Sequence, residues 1–350
     1  MKINIVIPTI LMGGGLRVIF QYANDWTDRG YDVLAYVPML YREVDLNIKF
    51  RTSIANTFFR GTQISWFECK FKVKKTVTVS DGWIRDADIT IAVAPSSAWA
   101  VNRLSPSKGK KIYFIQGHEL NETGDNLEQI DRTYQYENLN LVVITHYMRD
   151  YIWKLYKRHA EVIPNGTLQN EFLNMDKKEG RKKTIIMLGN FSHYKGGYNG
   201  LEIMKRIKKE YDVRCILYGV RDDDKIPPDF EFYLQPERSK LLELYRDSDI
   251  CLFPSVEEGW GLVVTEAMAN KCAVVGNRTG CLREFGRHKE NALITDNEDY
   301  ETMYQYVKEL LDNEEELKKL QQEGYKTACQ YTCEASFEKF DGYLKHLLHD

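Results

Sequence analysis

Two carboxylates, Glu258 and Glu266, stand with seven residues between them around a loop that holds Gly259 and Gly261. The apolar run over 250–253 is short enough for a buried parallel strand. Pro254 and Ser255 end that strand, the spacing predicts a helix over 262–269, and the next strand follows over 272–275. The loop therefore opens a helix at the carboxyl edge of a sheet, where open α/β sheets bind ligands. A helix N-terminus offers unpaired N–H groups and a positive dipole, which suit a phosphate. Glu266 falls one turn further in, about 6 Å along the axis from Leu262 by helical rise. It can reach past a phosphate toward a hydroxyl pair on a sugar. The chemistry is anion plus polyol, and a nucleotide sugar is both.

Three other places carry similar potential. Lys195-Gly196 follows a strand expected over 184–188, with Asn190 and His193 in the same loop. By position alone this lysine reads as a surface residue at a helix start. Gly13-Gly14-Gly15 joins a strand over 3–7 to a helix over 16–29. The spacing is not G-x-G-x-x-G and no clean acidic residue ends the next strand, so a dinucleotide fingerprint is weakly supported. A tight turn accounts for this loop as well as a ligand does. His118, followed by Glu119, lies just past the carboxyl end of a strand over 111–115, a placement suited to chemistry. Asp222-Asp223-Asp224 are adjacent carboxylates without a matching second motif, so they read as a solvated loop rather than a metal site.

The stretch E-G-W-G-L-V-V-T-E-A-M-A from Glu258 to Ala269 is similar to the E-x7-E signature of family-4 retaining glycosyltransferases, with Trp260 where phenylalanine is usual. Pro254-Ser255 before it and Thr279-Gly280 after it match the same context. Pro164-Asn165-Gly166 looks like the family's hinge between domains. G-N-F-S-H-Y-K-G over 189–196 resembles its G-R-x4-K-G element, with Asn190 in place of the arginine. An amide can hydrogen-bond a phosphate oxygen but supplies no charge.

The resemblance implies a GT-B fold, an α/β architecture of two Rossmann-like domains facing across a cleft. It implies transfer of a hexosyl or deoxyhexosyl group, with retention, from a nucleotide-diphosphate sugar to a glycan or lipid-linked acceptor. On that resemblance His118, Lys195 and Glu258 are the catalytic candidates. Gly14, Gly15, Asn190, Gly261, Leu262, Val263 and Glu266 are the donor-binding candidates. No metal and no cofactor is expected, and bacterial-type surface polysaccharide synthesis is the implied setting. The main alternative is a non-catalytic GT-B subunit that binds a glycan or a partner enzyme. A Rossmann oxidoreductase is disfavoured by the missing fingerprint.

These residues need a scaffold, and the chain is long enough for two domains at 350 residues. An N-terminal acceptor domain is expected over 1–165 and a donor domain over 166–334. A last helix, about 335–350, is expected to pack back on the first domain. The polar stretch 167–183 reads as linker. The region 41–81 is hard to assign, apart from alternating stretches over 63–67 and 72–79 and a basic run over 70–75 that suits a half-exposed strand. Helices are also expected over 298–312, 315–329 and 335–348.

Composition bounds the rest. A net charge of −3 gives no electrostatic argument for nucleic acid. Seven cysteines without C-x-x-C spacing point to a reducing, cytoplasmic setting rather than a disulfide framework. The N-terminus passes straight into a strand with no signal-peptide core, and no run is long enough to span a bilayer. Peripheral contact with the inner face of a membrane remains open.

Overall fold

The computed structural model describes residues 1–39, 64–117, 127–174, 177 and 180–349. The chain forms two units: Met1–Pro164 with Ser336–Asp350, and Asn165–Ala335.

Unit one alternates strand and helix. Its elements are β1 (Lys2–Val6), α1 (Gly14–Asp28), β2 (Asp32–Pro38), β3 (Lys72–Thr76), β4 (Ile89–Ala92), α2 (Pro95–Asn102) and β5 (Lys110–Ile115). Then follow α3 (Leu127–Thr133), β6 (Asn140–Val143), α4 (His146–Tyr156) and β7 (Ala160–Val162). The strands pair in parallel in the order β3-β2-β1-β4-β5-β6-β7. Successive strands build outward from β1 in one direction and then, from β4, in the other. The switch point lies beside β1, where Gly14 and Gly15 begin α1. Gly30, at φ +82, takes the chain out of that helix into β2. Thr145 caps α4, its hydroxyl accepting from the Met148 N–H at 3.2 Å.

The basic run does form an edge strand, β3, with its side chains alternating between solvent and sheet. The alternating stretch before it does not. Residues 64–70 make a turn in which Trp66 and Phe67 pack on Phe20 of α1, with ring centroids 5.6 and 5.5 Å away. Aromatic burial against a helix outweighs the local strand pattern there.

Unit two repeats the design. It holds β8 (Thr184–Leu188), α5 (Gly197–Glu210), β9 (Arg214–Gly219), β10 (Glu231–Leu234), α6 (Arg238–Arg246) and β11 (Ile250–Phe253). It continues through α7 (Leu262–Ala269), β12 (Ala273–Asn277), α8 (Cys281–Glu284), β13 (Leu293–Thr295), α9 (Tyr300–Asp312) and α10 (Glu314–Ala328). The parallel order is β10-β9-β8-β11-β12-β13. Here the switch point lies between β8 and β11. Every residue of β11 is buried, as a central strand covered on both faces requires. Cys215, Cys251 and Cys272 lie among the buried residues as small hydrophobes. Burial pushes the Cys215 thiol up to about 12.

The start of the expected linker is not loose. Glu171 is buried in a short 3-10 turn, Gln169–Glu171, and Phe172 and Leu173 are buried beside it. The Leu173 N–H donates to Ala269 O at 3.0 Å, and Phe172 meets the Tyr325 ring. The apolar pair Phe172-Leu173 provides burial that the surrounding polar composition conceals.

The last helix, α11 (Cys333–His349), passes from unit two to unit one after Ala335. Within unit one, Phe337 and Phe340 meet Tyr22 edge-on at 5.1 and 5.0 Å, and Phe340 also meets Trp26 and Phe114. Arg29 pairs with Glu338 at 2.7 Å, and the Tyr31 hydroxyl donates to Asp341 at 2.8 Å.

Candidate active site

The loops that follow β8 and β11 emerge side by side because those strands are neighbours. The Val256 N–H donates to Tyr194 O at 2.8 Å and stitches the two loops together. That stitch brings Lys195 to Glu258: Nζ lies 2.9 Å from Oε1. Ser255 Oγ donates to the same carboxylate oxygen at 3.1 Å. Gly196 makes the approach possible. It has φ +62, and a Cβ there would sit 2.2 Å from Pro254 O. Only glycine fits that corner.

Glycine is also required where the second loop enters α7. Gly261, at φ +84, is the N-cap, and a Cβ would meet Phe253 Cζ at 2.9 Å. No side chain caps the first turn of α7. An anion arriving there would meet the N–H groups of Gly261, Leu262 and Val263. Trp260 points away from this chemistry: it is buried and packs on Phe285 and Tyr331 at 6.0 and 5.7 Å. The residue that departs from the usual phenylalanine is therefore part of the core.

Asn190 shapes its own loop. Its Oδ1 accepts from the Ser192 N–H at 3.1 Å and from Ser192 Oγ at 2.7 Å, an Asx turn at the end of β8. Its Nδ2 group is what an anion could use. His193 and Arg221 are exposed on the loops after β8 and β9.

Glu266 is buried one turn into α7, 5% exposed. Arg238, at the start of α6, places Nη1 2.9 Å from Glu266 Oε1. The Tyr245 hydroxyl lies 3.4 Å from Oε2, and Tyr218 OH lies 2.5 Å from Tyr245 OH. Burial pushes both phenols well above their ordinary value of 10.0, so both remain neutral hydroxyls. Arg238 also grips buried Glu171 through Nε at 2.7 Å and through Nη2. Burial works against its charge, but Glu266 and Glu171 outweigh that and hold the guanidinium above its ordinary value.

Sequence reasoning missed Arg238, Glu171, Tyr218 and Tyr245. Arg238 is the first residue of α6, a segment to which no role was assigned. Glu171 lay in the segment read as linker. The one available signal was a carboxylate directly before the apolar pair Phe172-Leu173.

The other expected residues divide by unit. Gly14 and Gly15 open α1 in unit one, where Gln116 Nε2 donates to Gly15 O at 2.8 Å and links the start of α1 to the end of β5. His118 lies outside the described residues. In the acidic cluster Asp223 is engaged, accepting from the Tyr198 hydroxyl at 2.7 Å and the Lys225 N–H at 3.0 Å.

Residues 169–327 match the family model described as glycosyl transferases group 1. A Haemophilus influenzae protein named an uncharacterized glycosyltransferase is 24% identical over 370 residues, spanning 98% of this chain and 99% of its own. A second uncharacterized glycosyltransferase, from Methanocaldococcus jannaschii, is 23% identical over 45% of this chain. The match spans 47% of the Methanocaldococcus protein's length.

Among solved structures, Anabaena HepE in complex with UDP-glucose superposes with a TM-score of 0.74 at 13% identity, covering 99% of this chain and 100% of that one. Sucrose-phosphate synthase from Thermosynechococcus elongatus gives 0.74 at 13% identity, covering 99% of both chains. WaaG, a glycosyltransferase involved in lipopolysaccharide biosynthesis, gives 0.71 at 12% identity, covering 98% of this chain and 99% of that one. The fold is GT-B, and the match to the group 1 glycosyl transferase model falls within unit two.

Proposed function

We propose that the chain is a retaining glycosyltransferase that moves a hexosyl or deoxyhexosyl group from a nucleotide-diphosphate sugar to a hydroxyl of a glycan or lipid-linked acceptor. The observation that carries this reading is the meeting of Lys195, Glu258 and the α7 N-terminus at the switch point of unit two. One turn further in, Glu266 stands at the distance of a ribose. In this reading the diphosphate lies on the N–H groups of Gly261, Leu262 and Val263. Lys195 exchanges Glu258 for phosphate oxygens, and Glu258 turns to the sugar hydroxyls. Glu266 accepts from the ribose diol.

As the bond from the anomeric carbon to the phosphate oxygen breaks, negative charge grows on the diphosphate, and Lys195 stabilises it in place. The acceptor oxygen bonds the anomeric carbon from the same face. Its proton passes to the departing phosphate oxygen. Such a route needs no pair of nucleophilic carboxylates, and the charge work assigned to Lys195 and the helix dipole is work a metal would otherwise do.

The UDP-glucose complex of HepE and the lipopolysaccharide role of WaaG support a uridine donor and surface polysaccharide assembly as starting hypotheses. All seven cysteines are free, in keeping with cytoplasmic work. Among the described residues no helix is long and apolar enough to cross a membrane. Peripheral contact is supported by α4, where exposed Tyr147, Trp153 and Leu155 stand near Lys154 and Lys157. Flotation with anionic and neutral lipid vesicles tests it: no preference for the anionic vesicles would remove this part.

Turnover across UDP-, GDP-, dTDP- and ADP-sugars tests the main reading. Nucleotide release with sugar transfer from one of them is the expected result. The second reading, a non-catalytic binding subunit, is favoured by Asn190, which leaves the site one cation short. Nucleotide binding without transfer or release from any donor would select it.

A further inference from the structure

The geometry assigns Arg238 as a positioning residue for Glu266, one that gives the site its preference for ribose over 2′-deoxyribose nucleotides. The inference rests on the donor reading above, because it takes Glu266 as the group that meets the ribose.

Three separate elements build the arrangement. Glu171 comes from the turn at Gln169–Glu171, Arg238 from the first residue of α6, and Glu266 from α7. Glu171 takes Nε at 2.7 Å and also Nη2, so one edge of the guanidinium is fixed in plane. The opposite side, through Nη1, reaches Glu266 Oε1 at 2.9 Å. Glu171 and Glu266 are 6% and 5% exposed, so neither carboxylate can trade its partner for bulk water at little cost. Tyr245 stands at the other Glu266 oxygen and is itself held by Tyr218. Glu266 thus has an ion-pair contact at one oxygen and a hydroxyl at 3.4 Å from the other, which together limit how its carboxylate can turn.

A diol is recognised by a carboxylate only when both its hydroxyls find lone pairs at the right angle. An ionised acceptor makes a stronger hydrogen bond than a neutral one. Arg238 bears on the first of these by holding Glu266 Oε1 in an ion pair at 2.9 Å. Removing Arg238 would leave two buried carboxylates sharing a region with no cation between them. Glu266 would then lose the contact that holds its Oε1.

Calorimetric titration tests the assignment. The probes are UDP, GDP and ADP, each beside its 2′-deoxy counterpart, with wild-type protein, Glu266→Ala, Arg238→Met and Arg238→Lys. The wild type should prefer the ribonucleotide by about 10-fold, the scale of one charged hydrogen bond. Glu266→Ala and Arg238→Met should both bring that ratio close to one. Arg238→Lys, a point charge without the planar fork, should restore part of it. A purely structural role would weaken both nucleotides equally and leave the ratio in place.

If Glu266→Ala loses the ratio and Arg238→Met keeps it, the inference is wrong and the donor reading stands. If the wild type shows no ratio, Glu266→Ala keeps it, or no nucleotide binds, the ribose assignment itself fails and the inference falls with it. Should Arg238→Met not fold, Glu171→Gln frees the guanidinium from its anchor. It should lower the ratio, and an unchanged ratio would overturn the proposal.

Discussion

Lys195 Nζ lies 2.9 Å from Glu258 Oε1, with the two side chains 17% and 12% exposed. A lysine already paired to a carboxylate at a helix N-terminus is poised for exchange. In the proposed reading an incoming diphosphate takes the ammonium, and the released carboxylate turns to the sugar. The pair joins residues that are distant in sequence, and it exists because β8 and β11 are neighbours in the sheet.

Lys195→Ala should therefore act on the chemical step. We expect kcat to fall about 100-fold, the scale of removing one preorganised charge donor, with a smaller change in donor KM. Steady-state kinetics on the preferred donor gives both numbers. A variant with wild-type kcat would remove Lys195 from the reaction.

Asn190→Asp separates the turn from the charge. The aspartate can still accept from Ser192, so the Asx turn and thermal stability should persist. A carboxylate there would repel a diphosphate, and nucleoside diphosphate binding should weaken by about 10-fold or more. Unchanged affinity with unchanged stability would show that Asn190 does not face the phosphates.

Much of the local geometry around Glu258 and Glu266 could be read in the sequence because its parts obey local rules. The glycines, the carboxylate spacing and the strand-to-helix switch each announce a binding loop, and both Rossmann-like units follow from the same strand and helix rhythm. The support behind Glu266 could not be read. Arg238 begins α6, and its partners Glu171 and Glu266 lie 67 and 28 residues away in the sequence. Glu171 sits in a polar stretch whose burial depends on Phe172 and Leu173 finding Tyr325 and α7, which is a tertiary fact. Likewise Trp66 and Phe67 alternate as a strand would, yet they turn to cover Phe20. Local pattern gave way where a large side chain found a better surface.

The second unit should also lose stability in acid in a defined way. Arg214 grips Glu231 through Nε at 2.5 Å and Nη2 at 2.6 Å, and this pairing holds the Glu231 carboxyl down at about 2, against an ordinary 4.5. The unfolded chain therefore takes up this proton first as pH falls. The stabilisation is fully present above about 4.5 and is lost as pH drops toward 2. Thermal melts between pH 6 and pH 3 on Glu231→Gln should show a flatter decline than the wild type. Parallel declines would mean that the pair does not contribute to acid sensitivity.

The central claim is that unit two holds a nucleotide-sugar donor through Glu266 and its neighbours. Titration of wild type and Glu266→Ala with UDP, GDP, dTDP and ADP tests it most directly. The account predicts saturable binding of at least one nucleotide by the wild type, weakened about 10-fold or more in the variant with its circular dichroism unchanged. Failure of every nucleotide to bind the wild type, or equal affinity in Glu266→Ala, would contradict it.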